Sequence, residues 1–103
     1  MAKMIVVYQK PQNPEAFDKH YFDIHVPLAK QLPGLKKYEM SEGAVASIAG
    51  GPQPYRVASL YFEDMDAIRN AFASETGRAC ASDRRQLASD EEVEIYLFDT
   101  REL

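Results

Sequence analysis

The chain is poor in the residues that most often carry chemistry or cross-links. Cys80 is its only cysteine. No intrachain disulfide can form, and no cysteine-based metal site is available. This usage fits a reducing cytoplasm, the expected location. His20 and His25 are the only histidines. They stand five apart, not at the i, i+4 spacing that places two metal ligands on one helix face. Excess positive charge is missing too: 12 Lys and Arg against 16 Asp and Glu leave a net charge of −4. Without a basic patch to neutralise phosphates, nucleic acid is not an expected partner. No basic amphipathic helix points to a membrane surface, and no apolar run approaches the ~18 residues of a membrane span. The apolar part of "MAKMIVVYQKPQNP" is too short for a signal peptide. GxGxxG and GxxxxGK[ST] are absent, and "AGGPQP" makes no case for a phosphate site. No cofactor and no metal are expected.

What remains reads as one domain over residues 1–103, small enough that oligomerisation would help it. "KMIVVYQ" (Lys3–Gln9) is apolar and β-branched, as strands are. Asn13 is a candidate helix cap, with Pro14 at the first helical position and Glu15 facing the helix dipole. The helix is expected to run toward Leu32 and stop at "LPGL". Leu35–Val45 reads as a second, polar strand, followed by the Gly- and Pro-rich loop "ASIAGGPQP". Tyr55–Glu63 reads as a third strand. Asp64 can cap a helix carrying Met65, Ile68 and Phe72, a further helical piece follows from Ser74, and a last strand spans Glu92–Thr100.

The order β-α-β-β-α-β is the α+β, ferredoxin-like arrangement. Right-handed crossovers put the first and third strands in the centre of an antiparallel sheet, with the second at an edge. "MIVVY", "VASLYF" and "IYLF" are apolar at both alternating sets of positions. A sheet with one solvated face should alternate. Two helices cover one face only, so a second copy of the chain is expected on the other, and a homodimer is the favoured assembly.

At about 100° per residue, Phe17, Tyr21, Ile24, Leu28 and Leu32 form the buried stripe of the first helix. His25 borders that stripe on one side, just before Pro27, which bends or breaks the helix. His20 lies on the other border beside Asp18, Lys19 and Asp23 and reads as a solvated surface residue. Two readings of His25 stand open: a border histidine bonded to backbone, or a general acid/base able to take and give a proton near neutrality. Tyr8, Tyr38, Tyr55, Tyr61 and Tyr96 lie on or beside strands, each with an apolar body and a polar tip. Cys80, between alanines, reads as a small buried hydrophobe.

"AFDKHYFDIHVPLAKQLPGLKKYEMSEG" resembles the EthD family, named after ethyl tert-butyl ether degradation. The likeness rests on Tyr8 closing the first strand, Pro11, Pro14 and Phe17, Tyr21-Phe22, His25, Pro27-Leu28, and Pro33-Gly34-Leu35. "YRVASLYFED" and "SETGRACASD" are also similar to later blocks of the family. After Asp83, "DRRQLASDEE" is more charged than the family segment, and no pocket residue is assigned there. The resemblance implies a dimeric α+β barrel. Related barrels include cofactor-independent monooxygenases, muconolactone isomerase-like enzymes, polyketide cyclases and dehydratases, and some haem binders. On this reading His25 is the catalytic residue, and Tyr8, Tyr21, Tyr61 and Leu28 contact a small apolar or aromatic molecule in a dimer-associated cavity. The chemistry would be proton transfer, as in an isomerase, cyclase or dehydratase, or oxygenation. The alternative is a non-catalytic accessory or small-molecule-binding protein of a catabolic pathway.

Overall fold

The computed structural model describes residues 1–103. Its elements run β1 (Ala2–Tyr8), α1 (Pro14–His20), a π turn (Tyr21–His25), α2 (Val26–Ala29), β2 (Lys37–Met40), β3 (Arg56–Phe62), α3 (Met65–Ala73), α4 (Glu75–Leu87) and β4 (Val93–Asp99). The four strands form one antiparallel sheet in the order β2-β3-β1-β4. The two apolar strands are central and the short polar one is an edge, which is the expected ferredoxin-like α+β arrangement.

Local chemistry sets the helix starts. The Asn13 side chain accepts from the Ala16 amide at 3.1 Å, with Pro14 following it. Asp64 accepts from the Ala67 amide at 2.8 Å. Each supplies an acceptor for an amide that has no partner within its helix. β2 is shorter than the expected Leu35–Val45. It ends at Met40 because Ser41 turns its hydroxyl to the Val57 amide, 3.0 Å away, and Gly43 takes a left-handed φ of 74° that no strand continues through.

Alternation along the central strands puts Ala2, Val6 and Tyr8 of β1, with Ala58, Leu60 and Phe62 of β3, in the core beneath the helices. Phe17, Tyr21, Ala29 and Leu32 close that core from the first helical segment, Ile68, Ala71 and Cys80 from the last two helices. The other face carries Ile5, Val7, Val57, Ser59 and Tyr61, all only half-buried. β4 is apolar and open on both sides: Ile95, Tyr96, Leu97 and Phe98 are each 40–50% exposed.

Ser74 ends α3 and starts α4, its hydroxyl accepting from the Gly77 amide at 3.0 Å. The chain turns so tightly there that a Cβ on Gly77 would lie 2.1 Å from the Ala71 carbonyl oxygen and 2.4 Å from the Phe72 Cα. Both neighbours are backbone and cannot rotate away. Gly77→Ala should therefore destabilise the fold by about 2–3 kcal/mol, the upper end of overpacking costs. Urea unfolding of the variant checks this; a loss below about 0.5 kcal/mol, the scale of ordinary surface changes, would show that the junction yields.

Candidate functional site

The site starts from one wide turn. The Val26 amide donates to the Tyr21 carbonyl, an i→i+5 bond. The turn lies just ahead of Pro27, which has no N–H to give to Asp23 and whose ring crowds that carbonyl. Fitting one extra residue into a turn rotates everything after it. The observed buried stripe is Phe17, Tyr21, His25, Ala29 and Leu32, whereas a uniform 3.6-residue period had put Ile24 and Leu28 in it. Ile24 instead faces solvent, 52% exposed, and Leu28 is half-buried. His25 moves from the border to the interior, 7% exposed. The rings follow in series: Phe17 and Tyr21 stack with centroids 5.9 Å apart, and His25 lies tilted to Tyr21 at 5.5 Å. Such wide turns recur at functional sites.

Asp83 of α4 reaches this turn. Its Oδ2 is 2.9 Å from His25 Nδ1, and its Oδ1 is 2.8 Å from His20 Nε2. His20 is thus a bonded, part-buried partner of α4, not the solvated residue its charged neighbours suggested. The carboxylate accepts from both rings, so His25 carries its proton on Nδ1 and offers Nε2 as an acceptor. No protein group bonds that Nε2, and it is not sealed from the surroundings. Burial moves the His25 imidazole below its ordinary 6.5, against the hydrogen bond and charge of Asp83. Burial pushes the Asp83 carboxyl up, but the hydrogen bonds and charges of the two histidines outweigh it and hold it below its ordinary range.

A cavity of about 200 Å³ lies between the helix-facing side of the sheet and the helices. His25, Tyr8 and Tyr21, three of the expected residues, line it. Two others do not. Tyr61 sits on the opposite face, its hydroxyl donating to Glu39 at 3.0 Å with Lys3 and Lys37 over its ring. Leu28 packs against the core without lining the cavity. Tyr38, Cys80, Arg84 and Arg85 line it as well, although the charged segment after Asp83 had been assigned none. Tyr38 and Tyr21 share a 2.6 Å hydroxyl–hydroxyl bond. The Tyr8 ring packs edge-on to Tyr21, and its hydroxyl has no partner within the protein yet is not sealed off. Burial pushes the Tyr38 phenol up to about 12 and the Cys80 thiol to about 11. Burial first and then the neighbouring phenol raise Tyr8 and Tyr21 as well. All four groups stay neutral donors at pH 7. Nothing near Asp83 in the chain announces its contact with residues 58 and 63 positions earlier.

A four-stranded antiparallel sheet with helices on one face and an apolar cavity between them defines a ferredoxin-like α+β protein. The chain belongs to the EthD family: residues 9–91 match the EthD domain. It is 40% identical over 90 residues to an uncharacterized 11.0 kDa protein from the thcB-thcC intergenic region of Rhodococcus erythropolis, covering 86% of this chain and 85% of that one. It superposes on an EthD family protein from Bacillus halodurans with a TM-score of 0.87 and 28% identity, over 98% of this chain and 99% of the other. A hydroxynitrile lyase from Passiflora edulis shares the fold at 15% identity, with a TM-score of 0.74 over 99% and 94% of the two chains.

The His25 shift fixes how stability responds to acid. Below pH 6.5 the unfolded chain takes a proton on this imidazole that the folded chain resists. Stability should therefore fall as pH drops from 7 toward 5. A second loss should begin below about 3.8, where the unfolded carboxyl protonates and folded Asp83 does not. Urea midpoints at pH 7, 6 and 5 test the first step, which His25→Gln should flatten. A wild-type midpoint that does not move across that range would contradict it.

Proposed function

We propose that residues 1–103 act as one EthD-like domain that binds a small apolar or aromatic molecule in this cavity and transfers a proton on it, with His25 as general base. The single observation carrying this is the Asp83–His25 contact at 2.9 Å beside the cavity. The carboxylate fixes the tautomer that exposes a basic Nε2, and it stabilises the imidazolium formed when that nitrogen takes a proton. A neutral imidazole at pH 7 is ready to act. The free Tyr8 hydroxyl complements it. For a substrate with a C–H next to a carbonyl, Nε2 takes the proton, the C–H electron pair moves to the carbonyl oxygen, and Tyr8 donates a hydrogen bond to the resulting enolate. Returning the proton to another carbon completes an isomerisation. Loss of a β-hydroxyl as water completes a dehydration, and attack on an internal carbonyl completes a cyclisation. Addition of dioxygen to the enolate would begin an oxygenation.

The test uses 2-indanone, a compact ketone with exchangeable α-hydrogens, in D₂O. Exchange followed by NMR should run faster with the protein than in buffer, and His25→Gln should slow it by about 10²-fold. Equal exchange in the variant would remove His25 as the base. Binding of 2-indanone without accelerated exchange would instead favour the second reading, a non-catalytic small-molecule-binding protein of a catabolic pathway. The high apolar share of the cavity wall, 13 of 16 residues, supports binding equally under either reading.

We also propose a cytoplasmic homodimer. The lone free thiol supports the location. The half-buried apolar face of the sheet and the open side chains of Tyr96 and Phe98 support the assembly. Sedimentation velocity should report twice the chain mass, and Phe98→Glu should shift it toward the monomer. A wild-type chain that sediments as a monomer at high concentration would refute the dimer.

A further inference from the structure

Beyond the hydroxyls of Tyr8, Tyr21 and Tyr38, the cavity wall carries three polar side chains: His25, Arg84 and Arg85. All three are nitrogen bases, and no carboxylate lines the wall. Their commitments differ. Arg84 donates from Nη1 to the Ala88 carbonyl at 2.8 Å and from Nη2 to Asp90 at 2.6 Å, so it ties the end of α4 to the loop beyond it. Both oxygens of Asp83 are taken by the two histidines. His25, held below its ordinary 6.5, is neutral at pH 7. Arg85 alone of the three carries a charge that forms no ion pair within the chain, and it is exposed while lining the cavity.

Position along α4 explains the arrangement. Cys80, Ala81, Arg84 and Arg85 share one helix face at i, i+1, i+4 and i+5. The same face begins small and apolar at Cys80, 3% exposed, and ends cationic and solvated at Arg85. The cavity thus has an apolar floor and a positive rim.

We propose that its ligand is a monocyclic aromatic carboxylate, with the ring against the apolar wall and the carboxylate at the rim on Arg85. This rests on the reading of the cavity as a small-molecule site. Size supports a single ring. An apolar cavity of about 150 Å³ holds benzene, and this one, at about 200 Å³, has room for a ring with a short substituent. Placement supports the charge. A carboxylate driven to the apolar floor would lose its hydration without compensation. At the rim it keeps water and gains a planar guanidinium with free donors, which can engage both oxygens at once. Arg85 is then a specificity-determining residue that orients the ring with respect to His25.

The experiment compares phenylacetate with its neutral isostere phenylacetamide by calorimetric titration at pH 7.5 and low ionic strength. The wild-type chain should bind phenylacetate about tenfold more tightly, an advantage that added salt erodes. Arg85→Gln should abolish the advantage, and Arg85→Lys should keep part of it. Arg85 is exposed and unpaired, so these variants keep the fold. Ala81→Phe, which fills the cavity, should remove both ligands. Equal wild-type affinity for the two probes, or a phenylacetate preference that survives Arg85→Gln or Ala81→Phe, overturns the assignment while leaving the cavity itself a binding site. If neither probe binds, the cavity reading fails and the assignment falls with it.

Discussion

One carboxylate held between two imidazoles organises this protein's interior. Asp83 of α4 receives His25 on one oxygen and His20 on the other, and both rings come from the same stretch of chain. They stand five positions apart. In a regular α-helix that interval turns by about 500°, so two side chains five apart point about 140° away from each other. The wide turn from Tyr21 to His25 begins directly after His20 and changes this angle. The same extra residue makes room ahead of Pro27, aligns His25 with Phe17 and Tyr21, and turns Ile24 out to solvent. A single backbone irregularity therefore decides which face of the segment is buried and which side chains α4 can hold.

The cavity's chemistry follows from desolvation around that contact. Tyr8, Tyr21, Tyr38 and Cys80 all rise above their ordinary pKa because burial penalises the charged form. None is a nucleophile at neutral pH. They are neutral donors in a wall with few polar atoms. His25 is driven the same way, toward its neutral form, which for an imidazole means the basic one. Burial thus sorts the groups into donors that keep their protons and one acceptor free to take a proton. Asp83 sharpens this difference because its own charge is stabilised by the two rings it holds.

Much of the fold was legible from local chemistry. Asn13 and Asp64 announce helix starts, because few other residues satisfy the first free amides. The central position of β1 and β3 follows from their apolar character and from crossover handedness. The site was harder to read. His25 stood out through Pro27, but a proline signals an interruption without saying whether the turn ahead of it widens, and a uniform period then misplaces Ile24. Tyr61 was grouped with the cavity tyrosines because β3 is apolar on both sides. With Ala58, Leu60 and Phe62 facing the helices, the two-residue period sends Tyr61 to the other face, but the sequence pattern does not say which set faces in. Asp83 and the arginines after it carried no local signal, since their role depends on a packing between distant segments.

The two-sided apolar character of the strands links the edge of the sheet to the cavity. β4 pairs only with β1, with Ile95 opposite Val6 and Leu97 opposite Met4. Ile95 lines the cavity, yet it is 40% exposed. The strand with least cover therefore also contributes a side chain to the cavity wall. A partner that covered Ile95 would shield this part of the wall from water. Less water in the cavity lowers the local dielectric, which moves His25 further toward its neutral form and strengthens each hydrogen bond made inside. The open edge and the cavity that holds the basic imidazole thus share one side chain, Ile95. A partner on that edge would act on the electrostatics of the site without contributing a catalytic group to it.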